Sequence, residues 1–137
     1  CIRMLGLQHL KNKPFSVISG GEKQMVLIAR ALAQQPQYIA MDEPTSSLDM
    51  GNQALLMQQT RMLTGRGIGV IMNTHSPQQA LQYADQVLLL TSGKIEKAGK
   101  PDDILHSASV SGLYATPLEI TEMLTCDGER RKVLISL

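Results

Sequence analysis

The sequence has few aromatic residues and no concentration of charge. Its 137 residues include no tryptophan and one phenylalanine, and the aromatics are Phe15, Tyr38, Tyr83 and Tyr114. Lysines and arginines number 13 against 12 acidic residues, so the formal net charge is +1. Because the chain has neither a basic patch nor an aromatic platform for stacking bases, nucleic-acid binding is disfavoured.

Cysteines and long apolar runs are also scarce. Cys1 and Cys126 are too few and too far apart for a disulfide framework or a zinc motif, which fits a reducing compartment. The longest apolar segments, such as residues 87–90, are far below the roughly 20 residues that cross a bilayer. A chain of 137 residues with 43% hydrophobic content is long enough for one globular α/β unit.

The residues that could carry chemistry begin at a predicted helix start. Ser19 and Glu22 form the S-x-x-E pattern of a capping box. The helix is predicted to run to about residue 35, with an apolar stripe at helical spacing formed by Met25, Ile28, Ala29 and Leu32. Gly20 and Gly21 follow the serine directly. Glycines here are compatible with a simple cap and also with backbone N–H groups that approach a phosphate, and these residues alone leave both interpretations open.

Two apolar segments of strand length follow, with a predicted helix between them. Residues 38–41 are apolar at consecutive positions, which favours a strand buried on both faces, and they end at Asp42 and Glu43. Residues 70–72 precede His75 by a few positions. A strand, helix, strand order predicts parallel pairing, so we expect His75 and Glu43 at the same edge of the sheet.

The acidic pair also permits two interpretations. Asp42 and Glu43 could mark a strand end that reaches solvent. Alternatively, one carboxylate could hold Mg²⁺ while the next activates a water that attacks a terminal phosphate. A lone histidine is more often structural than catalytic, and only its expected location favours a functional role for His75.

The remaining segments predict further short helices and hairpins. The chain as a whole is predicted to divide into three parts. Predicted elements are a short helix over 2–10, a helix capped by Asp49, a helix opened by Ser76 and Pro77, a hairpin at the sheet's edge over 87–98, a short helix over 101–105 and an appended hairpin over 107–137. In the helix capped by Asp49, the apolar residues that recur one heptad apart are Leu55, Leu56, Met62 and Leu63. Asp127 and Gly128 are predicted to form the turn of the appended hairpin. The predicted division is 1–36, 37–106 and 107–137.

In order and spacing, these motifs resemble the nucleotide-binding subunit of ABC transporters over residues 1 to about 106. Residues 18–22 are similar to the family's signature motif, residues 38–43 to its Walker B strand with the catalytic glutamate, and residues 46–49 to its D-loop. His75 is similar to the switch histidine. The resemblance implies an α/β fold, the C-terminal portion of a P-loop ATPase core, with a parallel sheet flanked by helices and a small C-terminal hairpin appendage.

The resemblance implies that ATP is sandwiched between two subunits. Ser19, Gly20 and Gly21 would then contact the γ-phosphate of a nucleotide held mainly by the partner subunit. Asp49 would couple the two sites across the dimer.

For the strand ends, the resemblance implies a role in hydrolysis. Asp42 would serve Mg²⁺, Glu43 would polarise the attacking water, and His75 would contact the γ-phosphate. Further expected partners are transmembrane permease subunits and, indirectly, a substrate-binding protein, with the chain peripheral at the cytoplasmic face of the inner membrane. The segment after His75 and the tail are similar to importers of iron chelates, cobalamin and related metal complexes.

Two features of the sequence depart from the family, and its start is also unusual. Glu22 stands where the family most often has glutamine, which predicts that this side chain points away from phosphate or stays in the cap. No G-x-x-x-x-G-K-[ST] motif is present, so we expect the 137 residues alone not to hydrolyse ATP. The sequence opens on Cys1 in what looks like mid-helix, which suggests a fragment.

Two alternatives remain open from the sequence. One is a soluble ABC-type ATPase of repair or translation, although such proteins usually carry insertions or duplicated cassettes. The other is a truncated, non-catalytic module that docks on an intact cassette. The genomic sequence upstream of Cys1 would discriminate between a fragment and a truncated module.

Overall fold

The structure is a computed structural model that describes residues 1–137. The chain forms two compact units, Cys1–Asn73 and Thr74–Leu137. The helices and strands of the first unit are α1 (Gly20–Leu32), β1 (Tyr38–Asp42), α2 (Met50–Thr64) and β2 (Gly69–Asn73). Those of the second are α3 (Pro77–Tyr83), β3 (Val87–Thr91), β4 (Lys94–Gly99), α4 (Pro101–Ile104), α5 (Ser107–Tyr114), β5 (Leu118–Leu124) and β6 (Arg130–Ser136).

Strands β1 and β2 form the sheet of the first unit. They pair in parallel, with Tyr38 opposite Gly69 and Asp42 opposite Asn73, which confirms the predicted pairing. Helix α2 makes the connection, as parallel neighbours require a crossover. Both strands therefore deliver a polar residue to the same end of this sheet.

The two faces of this sheet differ in burial. Ile39 and Met41 lie in the core with α1 and α2 residues, whereas Tyr38 is 69% and Ile71 is 63% exposed on the other face. The prediction that β1 is buried on both faces is therefore wrong for this chain, because α1 and α2 both supply their apolar residues to one face. The Tyr38 ring lies against Gly69, where an added Cβ would come within 2.3 Å of Tyr38 Cδ1.

Helix α1 supplies the apolar stripe predicted from its spacing. The predicted core positions are all buried: Met25, Ile28, Ala29 and Leu32. The helix ends at Leu32, somewhat before the predicted residue 35. In α2, Leu56 and Leu63 are buried as expected, but Leu55 is 43% exposed, because neighbouring positions of a helix face different directions.

The predicted helix over residues 2–10 is wrong. This segment consists of turns with a short 3₁₀ helix at Gln8–Leu10, and a second 3₁₀ helix at Phe15–Val17 was not predicted. Gly6 adopts a φ of +71°, in the left-handed region, which interrupts a right-handed helix.

In the second unit, β3 and β4 form an antiparallel hairpin. Ser92 and Gly93 both have positive φ, which is the backbone of a type I′ turn. The hairpin prediction is confirmed. Its predicted place at an edge of the β1–β2 sheet is wrong, because β3 and β4 hydrogen-bond only to each other in a separate two-stranded sheet.

The C-terminal segment contains a helix as well as the predicted hairpin. Strands β5 and β6 pair antiparallel, and Asp127 and Gly128 lie in their turn, as expected. Helix α5 was missed because its serines and glycine are weak helix formers. Its start is stabilised by tertiary context and by a reciprocal cap, in which Ser109 N donates to His106 Nδ1 and His106 N donates to Ser109 Oγ. The three-part division of the chain stays a prediction.

Candidate functional site

The start of α1 is held by the predicted capping box. Ser19 N donates to Glu22 Oε2 at 2.7 Å, and Glu22 N donates to Ser19 Oγ at 3.2 Å. A helix N-terminus has four N–H groups without a partner in the helix, here those of residues 19–22. The box satisfies the first and last of them. The N–H groups of Gly20 and Gly21 have no partner within the helix.

The two glycines have different surroundings. A methyl group added to Gly20 would meet no atom within 4 Å, so this glycine borders open space. A methyl group on Gly21 would lie 2.6, 2.7 and 2.9 Å from Asn52 Cγ, Oδ1 and Nδ2. Gly21 is therefore required by close packing, whereas Gly20 leaves room for a ligand to approach the backbone.

Asp49 is the N-cap of α2, as predicted, and it interacts twice with Asn52. Asp49 Oδ1 accepts from Asn52 N at 3.0 Å, and Asp49 Oδ2 accepts from Asn52 Nδ2 at 2.6 Å. These hydrogen bonds, the backbone one first, hold the pKa of the Asp49 carboxyl below its ordinary value. Asn52 thus joins the Asp49 cap to Gly21 at the start of α1. Asn52 could not be predicted from the sequence, because a polar residue in the first turn of a helix carries no distinctive signal.

Glu22 remains in the cap, as its sequence position suggested. The backbone N–H of Ser19, then the Ser19 side chain, lower the pKa of the Glu22 carboxyl, with smaller contributions from His9 and Lys13. His9 Nε2 lies 3.3 Å from Glu22 Oε1. The negative charge is therefore engaged at the helix start, where the helix dipole favours it.

Asp42 ends β1 beside Asn73, the last residue of β2. Asp42 Oδ1 accepts a hydrogen bond from Asn73 Nδ2 at 2.7 Å, and the Asp42 side chain is exposed. Mg²⁺ in nucleotide sites usually keeps several waters and takes one or two carboxylates together with phosphate oxygens. One exposed carboxylate fits that demand. The chain has no group of three His, Cys, Asp or Glu side chains that could enclose a metal by themselves.

Glu43 has an unusual backbone. Its φ is +39°, a region that non-glycine residues rarely adopt. The surroundings hold this conformation: Glu43 N donates to Asn73 O at 2.9 Å, and Glu43 O accepts from Ser46 N at 3.1 Å and from Ser46 Oγ at 3.0 Å. Such strained residues cluster at functional sites, so the geometry motivates a functional hypothesis for this carboxylate.

The turn after Glu43 is closed from α2. Gln53 Nε2 donates to Thr45 O at 3.3 Å and to Leu48 O at 2.9 Å. Thr45 and Leu48 are buried. The segment that links Glu43 to Asp49 is therefore held by specific contacts within the first unit.

His75 belongs to the second unit and its residue is exposed. Ser76 N donates to Thr74 Oγ1 at 3.1 Å, and Gln79 N donates to Ser76 Oγ at 3.4 Å, so the predicted Ser76 cap of α3 is confirmed. The Tyr114 hydroxyl donates to the backbone carbonyl of His75. The expected location of His75 at the same edge as Glu43 stays a prediction.

Comparisons with known proteins define the class to which the chain belongs. A family profile described as ABC transporter matches residues 1–46. The chain belongs to the ATP-binding proteins of ABC transporters, as its motifs indicated. No helix of the structure has the length and the apolar composition that crossing a membrane requires.

Among curated relatives, the chain is similar to hemin import ATP-binding protein HmuV of Hahella chejuensis. The two are 42% identical over 113 residues, which cover 77% of this chain and 44% of the relative. Hemin import ATP-binding protein HmuV of Rhodococcus jostii is 34% identical over 121 residues, covering 88% of this chain and 41% of that relative. The chain thus spans less than half the length of these relatives.

Among solved structures, the chain is similar to one from an ABC transporter assigned to the metal-chelate type, in an inward-facing conformation. The TM-score is 0.94 at 31% identity, and the match covers 99% of this chain and 54% of that one. The α/β fold expected from the sequence, the C-terminal portion of a P-loop ATPase core, is confirmed.

Proposed function

We propose that this chain forms part of the ATP-binding subunit of an ABC importer and carries the water-activating side of its nucleotide site. The observation that carries the proposal is the end of β1. There, Asp42 is hydrogen-bonded to Asn73 and Glu43 is held in a left-handed backbone conformation. Asp42 is the last residue of β1, and Glu43 follows it with a strained backbone. The two carboxylates therefore occupy different positions and can take different roles.

The proposed roles follow the chemistry of each group. Asp42 would bind Mg²⁺ directly or through water, with Asn73 orienting its carboxylate. Bound Mg²⁺ would supply charge neutralisation on the phosphate oxygens. Glu43 would accept a hydrogen bond from the attacking water and take its proton as a general base. His75 would donate a hydrogen bond to the γ-phosphate.

The start of α1 would recognise the γ-phosphate of a nucleotide held mainly by a second subunit. Ser19 Oγ would donate a hydrogen bond to phosphate while accepting one from Glu22 N, because a hydroxyl can do both. The N–H groups of Gly20 and Gly21 would donate to the same oxygens, at a helix end whose dipole favours anions. Asp49 would couple the two sites of the dimer.

The proposed substrate is an iron chelate such as hemin. Support comes from the hemin import proteins among the relatives and from the similarity to a metal-chelate type transporter. The proposed partners are a second ATP-binding subunit, transmembrane permease subunits and, through them, a substrate-binding protein. The proposed location is the cytoplasmic face of the inner membrane.

Glu43→Gln in the complete subunit tests the proposal. The amide keeps the size of the side chain but cannot accept a proton, so the rate of ATP hydrolysis should fall by about 10²–10⁴-fold. Equilibrium binding of ATP should persist, because Glu43 is proposed to contact water rather than nucleotide. Retention of hydrolysis, or loss of ATP binding, would contradict the assigned role.

A matched control is Glu119→Gln. Glu119 is an exposed acid in β5 to which no role is assigned, so hydrolysis should remain at the level of the unmodified subunit. The 137-residue chain by itself, assayed in parallel, is expected to show no Mg²⁺-dependent turnover.

A further inference from the structure

The C-terminal segment of the second unit contacts the backbone of the histidine segment. Tyr114 lies at the end of α5, 39 residues after His75, and its hydroxyl donates to the His75 carbonyl oxygen. That carbonyl immediately precedes Ser76, the N-cap of α3. Because it lies outside the regular part of α3, this hydrogen bond restrains backbone that helix geometry does not determine.

A second contact attaches α3 to the same C-terminal segment. Gln78 Nε2 donates to Lys132 O at 3.2 Å, and Gln78 Oε1 accepts from Leu134 N at 2.8 Å. One amide side chain therefore pairs with two backbone groups of β6, much as a neighbouring strand would. The α3 helix that follows His75 and the tyrosine that contacts its carbonyl are thus anchored on one helix–hairpin element, α5 with β5 and β6.

The Tyr114 hydroxyl stays protonated and can therefore always donate a hydrogen bond. Tyr114 is 38% exposed, and its partial burial raises the pKa above the ordinary value of 10.0, so the hydroxyl keeps its proton throughout the physiological range. Among the tyrosines, Tyr38 offers a contrast, because it is 69% exposed and no hydrogen bond of its hydroxyl is found.

We infer that Tyr114 is a positioning residue for His75: its hydroxyl fixes the peptide unit at His75 and thereby the direction in which the imidazole leaves the backbone. The inference rests on the proposed role of His75 at the γ-phosphate. On this inference, α5, β5 and β6 support the role of His75 by holding Tyr114 in place.

Tyr114→Phe in the complete subunit tests the inference, with Tyr38→Phe as the matched control. Removing one hydroxyl should lower kcat for ATP hydrolysis about two- to tenfold, the range expected from the loss of one hydrogen bond. KM for ATP should stay unchanged, since Tyr114 is not proposed to contact nucleotide. Tyr38→Phe should change neither parameter. An unchanged kcat in Tyr114→Phe would overturn the inference.

Tyr114→Phe in a His75→Ala background distinguishes failure of the inference about Tyr114 from failure of the proposed role of His75. If Tyr114 acts through His75, Tyr114→Phe causes no further loss of kcat once the imidazole is gone. An equal loss in both backgrounds would show that Tyr114 acts elsewhere. Full hydrolysis by His75→Ala alone would refute the proposed role of His75, and the inference with it. Loss of hydrolysis in His75→Ala, with an unchanged Tyr114→Phe, would refute the inference only.

A measurement independent of activity uses the complete subunit. The carbonyl ¹³C resonance of His75 should move upfield in Tyr114→Phe, because the hydrogen bond that deshields it is lost, while Tyr38→Phe should leave it in place. Thermal unfolding of both variants checks that each remains folded. A resonance that does not move would mean that the hydrogen bond does not form in solution.

Discussion

Replacing Gly21 by alanine should destabilise the first unit, although alanine is the better helix former. The new methyl group would come within 2.6 Å of Asn52 Cγ, closer than nonbonded carbon atoms approach each other. Asn52 could move away only by breaking the 2.6 Å hydrogen bond that its Nδ2 donates to Asp49. The substitution therefore overpacks the contact between residue 21 and Asn52, and relieving it would break a hydrogen bond.

The expected magnitude follows from two opposing effects. Overpacking a close contact costs about 1–3 kcal/mol. Alanine in place of glycine recovers about 0.5–1 kcal/mol of helix stability in a helix interior, and less in the first turn, where Gly21 lies. We therefore expect Gly21→Ala to lower the free energy of unfolding by about 1–2 kcal/mol.

Urea unfolding of the 137-residue chain measures this change, and Gly20→Ala is the matched control. The control places the same methyl group one residue earlier, where no atom lies within 4 Å, so its stability should be unchanged or slightly higher. Equal effects of the two substitutions would refute the argument, because they would show that the contact with Asn52 does not matter.

Asn52→Ala provides a second check. It removes the three side-chain atoms that the Gly21 methyl group would meet, while the backbone N–H of residue 52 can still donate to the Asp49 cap. The double variant Gly21→Ala/Asn52→Ala should lose less stability than the sum of the two single variants, with a coupling free energy of about 1 kcal/mol. Strict additivity would mean that the two positions do not touch in solution.

Acid should destabilise the first unit through its two helix caps. Folding lowers the pKa values of Glu22 and Asp49 from ordinary values of 4.5 and 3.8, so their contribution is complete above those values and is lost as pH falls through the lower folded values. Urea unfolding between pH 6 and about pH 3 should show this loss of stability. Glu22→Gln keeps a hydrogen-bond acceptor but does not titrate, so this variant should lose less stability over the same pH range. An equal loss in the variant and the unmodified chain would rule out Glu22 as a contributor. The exposed apolar face of the β1–β2 sheet should cause the chain by itself to self-associate. Ile71→Lys should shift sedimentation toward monomer relative to Ile135→Lys, a substitution of an exposed isoleucine in β6, and identical behaviour of the two would argue against this face.

Local patterns were sufficient to predict the helix caps. The Ser19–Glu22 box, the Asp49 cap and the Ser76–Pro77 start each depend on residues three or fewer positions apart, and all three occur in the structure. The same local rules failed for residues 2–10, where Gly6 interrupts the helix, and for α5, whose weak helix formers are held by tertiary packing of Val110.

Sequence alone was sufficient to identify the residues that could carry chemistry and the order in which strands and helices deliver them. Those properties depend on near neighbours in the chain and on the rule that parallel strands end at one edge. Three contacts became evident only in the three-dimensional fold: Asn73 donates a hydrogen bond to Asp42, Asn52 packs over Gly21, and Tyr114 donates to the carbonyl of His75. Each of these contacts joins residues 31 to 39 positions apart, a separation at which no local pattern constrains which side chains meet.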